Sequence, residues 1–181
     1  DYTAPFTAHP LHAAADPWNG ANALNAVIAT FNGIDALRQH VKSDARIHGI
    51  VTHGGDAPNV VPHHAAAEFY VRGATVAYMN ELVEKVRKIA EGAALITGCR
   101  LEWAMPEEPN YDMIVNYPIA RAMKRHLDRV ELAMPEAKAE EASGSTDWGN
   151  VSYVVPSVET AYPILDRVCT SVLVSEGAGR W

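Results

Sequence analysis

Ile47-His-Gly-Ile-Val-Thr-His-Gly-Gly-Asp-Ala-Pro-Asn-Val-Val-Pro-His-His-Ala-Ala-Ala-Glu-Phe-Tyr-Val-Arg-Gly73 reads as a strand, a glycine turn and a second strand. Ile47, Gly49 and Val51 alternate with His48, Ile50 and Thr52, which is the period of two of a half-buried strand. Gly54-Gly55 followed by Asp56-Ala57-Pro58 breaks it. Ala65, Ala67, Phe69 and Val71 then share one face, and Glu68, Tyr70 and Arg72 share the other. Arg72 is therefore expected on a strand rather than a mobile loop. Asn59 stands just before Val60-Val61-Pro62, where the chain re-enters the sheet. An amide and a guanidinium on one rigid hairpin are expected to grip an anionic or amide-bearing ligand together. The same pattern also fits a solvated edge arginine and an ordinary turn asparagine. His53, His63 and His64 resemble a metal cluster. However, His63 and His64 point to opposite faces of a strand, and no Cys or carboxylate stands at a finger-like spacing. No metal site is assigned here.

Working outward, residues 21–41 switch to helical spacing, with Leu24, Val27, Ile28, Phe31, Ile34 and Leu37 on one expected buried face. Asn19 or Asn22 is the candidate cap. Gly33, costly in a helix interior, marks an expected close packing point. After the hairpin, residues 76–97 read as a second helix. Thr75 is its candidate cap, Glu81–Lys85 and Glu84–Lys88 are i,i+4 pairs, and Gly98 is the stop. Residues 2–12 look extended, broken by Pro5 and Pro10, and Cys99–Met105 alternates again as a strand. Strand, helix, strand, strand, helix, strand over 1–105 is the order of the split βαβ, ferredoxin-like sandwich. Its free sheet edge or an exposed helix would be open to pairing with a second copy.

Pro106-Glu-Glu-Pro109 is a linker-like break. Residues 118–130 can form a helix, with Ile119, Met123 and Leu127 at its apolar positions. Residues 135–143 read as a polar surface loop. Gly144-Ser-Thr-Asp-Trp-Gly-Asn-Val-Ser-Tyr-Val-Val-Pro156 reads as a hydroxyl- and acid-rich turn feeding an apolar strand at 151–155. Such a turn suits ligand contacts or is simply Asx-rich.

A chain of 181 residues with 48% hydrophobic content can build a core. Net charge of -7, with no basic run, argues against nucleic acid. No stretch of about 18 apolar residues suggests a membrane span. Two cysteines, Cys99 and Cys169, make no disulfide framework and fit a reducing, cytoplasmic setting.

Several stretches together resemble the M20 family of zinc-dependent peptidases and amidohydrolases. They are His12-Ala-Ala-Ala-Asp-Pro-Trp-Asn-Gly20, His48-Gly-Ile50, Gly54-Gly55, Pro58-Asn-Val-Val-Pro62, Ala67-Glu-Phe-Tyr-Val-Arg72, Thr97-Gly-Cys99 and Gly144-Ser-Thr-Asp-Trp-Gly-Asn-Val-Ser152. The branch most similar is that of aminobenzoyl-glutamate hydrolases and related dipeptidases. The resemblance implies an α+β chain, with a ferredoxin-like lid (dimerisation) domain at 1–105 and a partial α/β catalytic segment at 106–181. It implies a homodimer, a small amide or dipeptide substrate, and two zinc ions in the complete enzyme. His12 would reach the partner's active site as a catalytic group at the oxyanion. Asn59 and Arg72 would bind the carbonyl and carboxylate side of the substrate, and Asp147 and Asn150 would lie near it on the catalytic domain. The reaction would be attack of metal-bound hydroxide on an amide carbonyl, with a glutamate as general base.

The departures are equally specific. The family's His-x-Asp pair, bridging Asp and Glu-Glu pair precede the lid and are not in this chain. The last metal-binding histidine is expected within 168–175, where the chain reads Val-Cys-Thr-Ser-Val-Leu-Val-Ser. The expectation is a fragment or a frame-disrupted copy that holds no zinc by itself and is inactive alone. The alternatives are a dimerisation module and a ferredoxin-like ligand-binding domain, the latter disfavoured by residues 144–156.

Overall fold

The computed structural model describes residues 1–8, 20–132 and 146–159. They divide into two compact units. One comprises Asp1–Gly73 and Ala77–Glu108, and the other comprises Ala74–Val76 and the chain from Pro109 onward.

The first unit is a four-stranded antiparallel sheet with two helices. Its elements are β1 (Tyr2–Thr7), α1 (Ala23–Leu37), β2 (Arg46–His53), β3 (His64–Arg72), α2 (Val76–Thr97) and β4 (Arg100–Leu101). The strand order β2-β3-β1-β4 is that of the expected ferredoxin-like sandwich. β1 pairs β3 along its whole length, from Tyr2 opposite Phe69 to Thr7 opposite His64. β2 pairs β3 from Arg46 opposite Arg72 to Val51 opposite Ala67, then shifts register so that His53 faces Ala66. The alternation is clean on β3, where Ala65, Ala67, Phe69 and Val71 are buried with Ala4 and Phe6 of β1. Alanines at 4, 65 and 67 let the helices approach closely.

α1 is capped by Asn22, whose Oδ1 accepts from the N–H of Leu24 at 2.9 Å and Asn25 at 3.2 Å. A short 3₁₀ turn, Arg38–His40, follows it. The helix buries Ala23, Ala26, Val27, Thr30 and Ile34. Ile28, expected on that face, is instead 48% exposed, because the small residues Ala23, Ala26 and Thr30 carry the contact and rotate the buried stripe. A Cβ on Gly33 would overlap Ile89 of α2, so this glycine is the close approach its cost suggested.

α2 matches its expected span. Gly98, at φ +71°, ends it, and the Cys99 N–H returns to Ala94 O at 3.0 Å in a Schellman closure. The Glu81–Lys85 pair forms at 2.7 Å. Glu84 does not pair with Lys88 as expected. Arg87 takes it at 2.8 Å and also reaches Glu91, because its planar fork can satisfy two carboxylates on one helix face.

The expected strand Cys99–Met105 is shorter than its pattern. Glu102 N–H donates to Pro5 O at 3.0 Å, but Pro5 has no N–H to return, so β4 is interrupted there. The ladder resumes at Ala104, which exchanges both bonds with Thr3.

In the second unit, α3 (Tyr117–Arg129) is capped by Asn116, whose Oδ1 accepts from Ile119 N–H at 3.2 Å. The expected strand at 151–155 is not formed. Residues Trp148–Ser152 make a one-turn helix, α4, and 153–155 continue as turn.

The packing around Gly49 is testable. A Cβ on Gly49 would overlap the buried Phe69 ring, so Gly49→Ala should lower unfolding free energy by about 1–3 kcal/mol in urea denaturation. The charge pattern of α2 is testable as well. Hydrogen bonds from Lys85 and Arg87 hold the Glu81 and Glu84 carboxyls below their ordinary 4.5. Their folded values are depressed, so their stabilisation is present above 4.5 and fades as pH falls through the folded values. These exposed pairs contribute little. The thermal midpoint of Glu81→Gln/Glu84→Gln should sit slightly below the parent's at about pH 7 and match it near pH 3.

Candidate functional site

Arg72 ends β3 on the face away from the helices, and its guanidinium is exposed. Arg46 lies directly opposite across the ladder. Like charges in that position repel. Arg46 turns to the chain behind it, where Nη1 donates to the carbonyls of Ser43 at 2.6 Å and Ala45 at 2.7 Å. Arg72 makes no hydrogen bond or ion pair among the described residues, so its five donors are available. At the start of β2, a shallow cavity of about 210 Å³ is lined by Arg38, Lys42 and Arg46, of which Arg38 is paired with Asp35 at 2.8 Å. Arg46 was not singled out from sequence, because its place beside Arg72 depends on the strand register.

Asn59 sits at the other end of the same hairpin, exposed in a turn closed by Val60 N–H to Ala57 O at 3.1 Å. The loop is held against α1 by Ala23 N–H donating to Pro62 O at 2.9 Å. With Asn22 and Leu24 it walls a shallow cavity of about 470 Å³. Residues 60–63 and then β3, from His64 to Arg72, lie between Asn59 and Arg72. Eight steps at roughly 3.3 Å give about 26 Å. Asn59 and Arg72 of one chain thus stand at opposite ends of the hairpin. The strand that fixes the backbone of Arg72 also carries it away from the Asn59 loop.

In the second unit, Asp147 precedes α4. Its backbone carbonyl accepts from Asn150 N–H at 2.9 Å, and Thr146 Oγ1 accepts from Trp148 N–H at 3.2 Å. The Asp147 carboxylate is exposed and makes no hydrogen bond among the described residues. Asn150 is engaged. Its Nδ2 donates to Pro109 O at 2.9 Å, and its Oδ1 accepts from Tyr111 N–H at 2.8 Å. Ser152 Oγ accepts from Ile114 N–H at 2.9 Å. Two side chains of one helical turn thus hold the extended segment 109–114, and Gly149 leaves room for it. A Cβ there would collide with the Tyr111 carbonyl. This is why 151–155 is not a strand: side-chain bonds to a distant segment favour a turn. Asp112 accepts from the Tyr153 hydroxyl at 3.1 Å and from Val76 N–H at 2.8 Å. Burial and then the Asp112 carboxylate raise the Tyr153 phenol above its ordinary value. His12 lies outside the described residues, as do 135–143 and 168–175. Among the described residues, no three His, Cys, Asp or Glu side chains converge on a common point.

Comparison with known proteins agrees with this architecture. The family model of the peptidase dimerisation domain matches residues 2–97. The Xaa-Arg dipeptidase of Mus musculus is 33% identical over 182 residues, covering 99% of this chain and 42% of that protein. The indole-3-acetyl-aspartic acid hydrolase of Enterobacter agglomerans is 31% identical over 101 residues, which is 56% of this chain and 23% of that one. The solved structure of an aminobenzoyl-glutamate utilization protein from Klebsiella pneumoniae aligns at a TM-score of 0.60 and 24% identity, a likeness of fold. It covers 71% of this chain and 32% of that chain. The chain therefore spans less than half the length of each of these relatives.

Asn150→Ala would remove the hydrogen bonds to the Tyr111 N–H and the Pro109 carbonyl, which water can partly replace, at a cost of about 0.5–1.5 kcal/mol. Amide exchange at Tyr111 should speed up accordingly, while exchange in β1–β3 stays unchanged. Acceleration spread equally over both units would contradict a local clamp.

Proposed function

This chain belongs to the M20 peptidase family, whose dimerisation domain it carries, and we propose that it is the lid and part of the catalytic domain of a homodimeric hydrolase. The reaction is cleavage of an amide bond in a dipeptide or an N-acyl amino acid that ends in a carboxylate. One observation carries the reading. Two exposed polar groups, Asn59 and Arg72, stand unengaged at opposite ends of one rigid hairpin, with the length of β3, about 26 Å, between His64 and Arg72. A single small substrate cannot span them. In a two-fold dimer, each active site takes Asn59 from one lid and Arg72 from the other, and both residues are used.

The roles follow from chemistry. The Arg72 fork pairs a carboxylate with two parallel N–H bonds. The Asn59 amide donates to the carbonyl of the scissile bond. His12 stands where negative charge develops on that oxygen. Asp147, with its carboxylate free, contacts a polar part of the substrate, and Asn150 acts by positioning, through its hold on residues 109–111. The pairing surface is β2, an edge strand whose outer N–H and C=O groups face no other strand of the sheet. Ile50 and Val51 are exposed along it, at 63% and 48%.

The described residues do not fit a two-zinc centre, so no step is routed through zinc, and this chain contributes binding and orientation only. That poor fit favours a second reading for the chain by itself, a dimerisation module without turnover. No described helix is long and apolar enough to cross a membrane. With only two cysteines in the chain, we place it in the cytoplasm.

The test is mixing of variant protomers in the complete enzyme. Asn59→Ala and Arg72→Ala should each be nearly inactive on an N-acyl glutamate or dipeptide, with KM raised in the arginine variant. Refolded together, they should regain about a quarter of parental activity, because half the dimers are mixed and each mixed dimer has one intact site. No recovery on mixing would mean that each site takes both residues from the same chain. The 181-residue chain by itself should be dimeric by light scattering, and a monomer would remove β2 as the seam.

A further inference from the structure

We propose that His53 and His64 form a two-imidazole site for a late first-row divalent cation, tying β2 to β3 at the root of the loop that carries Asn59. Their ring centroids are 5.1 Å apart with planes tilted by 34°. An imidazole nitrogen sits about 2.0–2.1 Å from such a cation, which puts each ring centre roughly 3.2 Å from it. At a tetrahedral angle, the two centres are then about 5 Å apart, the separation seen here.

A register shift creates the juxtaposition. Val51 pairs with Ala67, so an unbroken period of two would put His53 on the helix-covered face. The shift between Val51 and His53 sets His53 opposite Ala66 instead. Ala66 and His64 share the open face of β3, and the two rings meet there. Both residues are half-buried, which limits the rotamers they lose on binding. His63, the adjacent residue, lies before the strand and is exposed.

No third His, Cys, Asp or Glu joins them among the described residues, so water fills the remaining positions. Such a site is exchangeable and suits Ni²⁺, Cu²⁺ or Zn²⁺, which prefer imidazole, over Mg²⁺ or Ca²⁺. A bound ion adds a cross-link between the strands that frame residues 54–63, and the Asn59 loop becomes more rigid without any new contact to it. The inference does not depend on the proposed reaction.

Titration of the 181-residue chain with NiCl₂ tests it by calorimetry. The parent and His63→Ala should bind one equivalent alike, and His53→Ala and His64→Ala should each bind about tenfold more weakly or worse. In the unmodified chain, paramagnetic Ni²⁺ should broaden the ring resonances of His53 and His64 before those of any other histidine, a readout that needs no variant to fold. Amide exchange should slow at Val51, His53 and Ala66 when Ni²⁺ is added. Absent binding, first broadening at other histidines, or equal affinity in all three variants would overturn the site.

Discussion

The Phe69 ring is held on two sides, and the first unit is built around it. On one side it packs at 5.1 Å against Phe31 of α1, and on the other it fills the place where Gly49 of β2 has no side chain. Phe69 is almost fully buried, and β3, which carries it, lies between β2 and β1. One side chain thus joins both neighbouring layers, edge strand and covering helix. The contact is geometric as much as hydrophobic. A full burial of this size contributes about 1.5–3 kcal/mol, but its position also sets how close α1 comes and where β2 must run. The alanines at 4, 65 and 67 serve the same end by leaving height for the helices.

Rigidity in that layer determines how the polar groups at its ends are held. A residue on a flexible loop can be brought to a substrate by closure. A residue at the end of a strand anchored by Phe69 and Val71 cannot, and its position is settled when the sheet folds. Arg72 is of this second kind, and its neighbour Arg46 is turned away by the carbonyls of Ser43 and Ala45. The strand fixes the backbone of Arg72, and no ion pair among the described residues holds its guanidinium. Asn59 is held differently, through a short turn and one backbone bond from its loop to α1. The two groups therefore differ in stiffness as well as in place.

Features that depend on neighbours in the chain were legible in the sequence. Asn22 as a cap, Gly98 as a stop, the close approach at Gly33 and the alternation of β3 all follow from local chemistry, and they were enough for the order of elements. Features that depend on register or on distant partners were not. The apolar run Val151–Val155 has strand composition, but Asn150 and Ser152 bind backbone some 40 residues earlier, and that outweighs propensity. The face of His53 was hidden because a shift near Thr52 reverses it. That Asn59 and Arg72 stand at opposite ends of the hairpin follows from the length of the strand between them. His12 lies outside the described residues, so its role rests on resemblance.

Pro5 has an effect beyond its own hydrogen bond. By interrupting β4, it leaves that margin of the sheet short and uneven, while the opposite margin, β2, runs unbroken from Arg46 to Val51. A sheet with two good margins can add neighbours on both sides and grow without limit. A sheet with one good margin can add a single neighbour and is then complete. A missing N–H on one proline thus favours a closed pair over an open fibre.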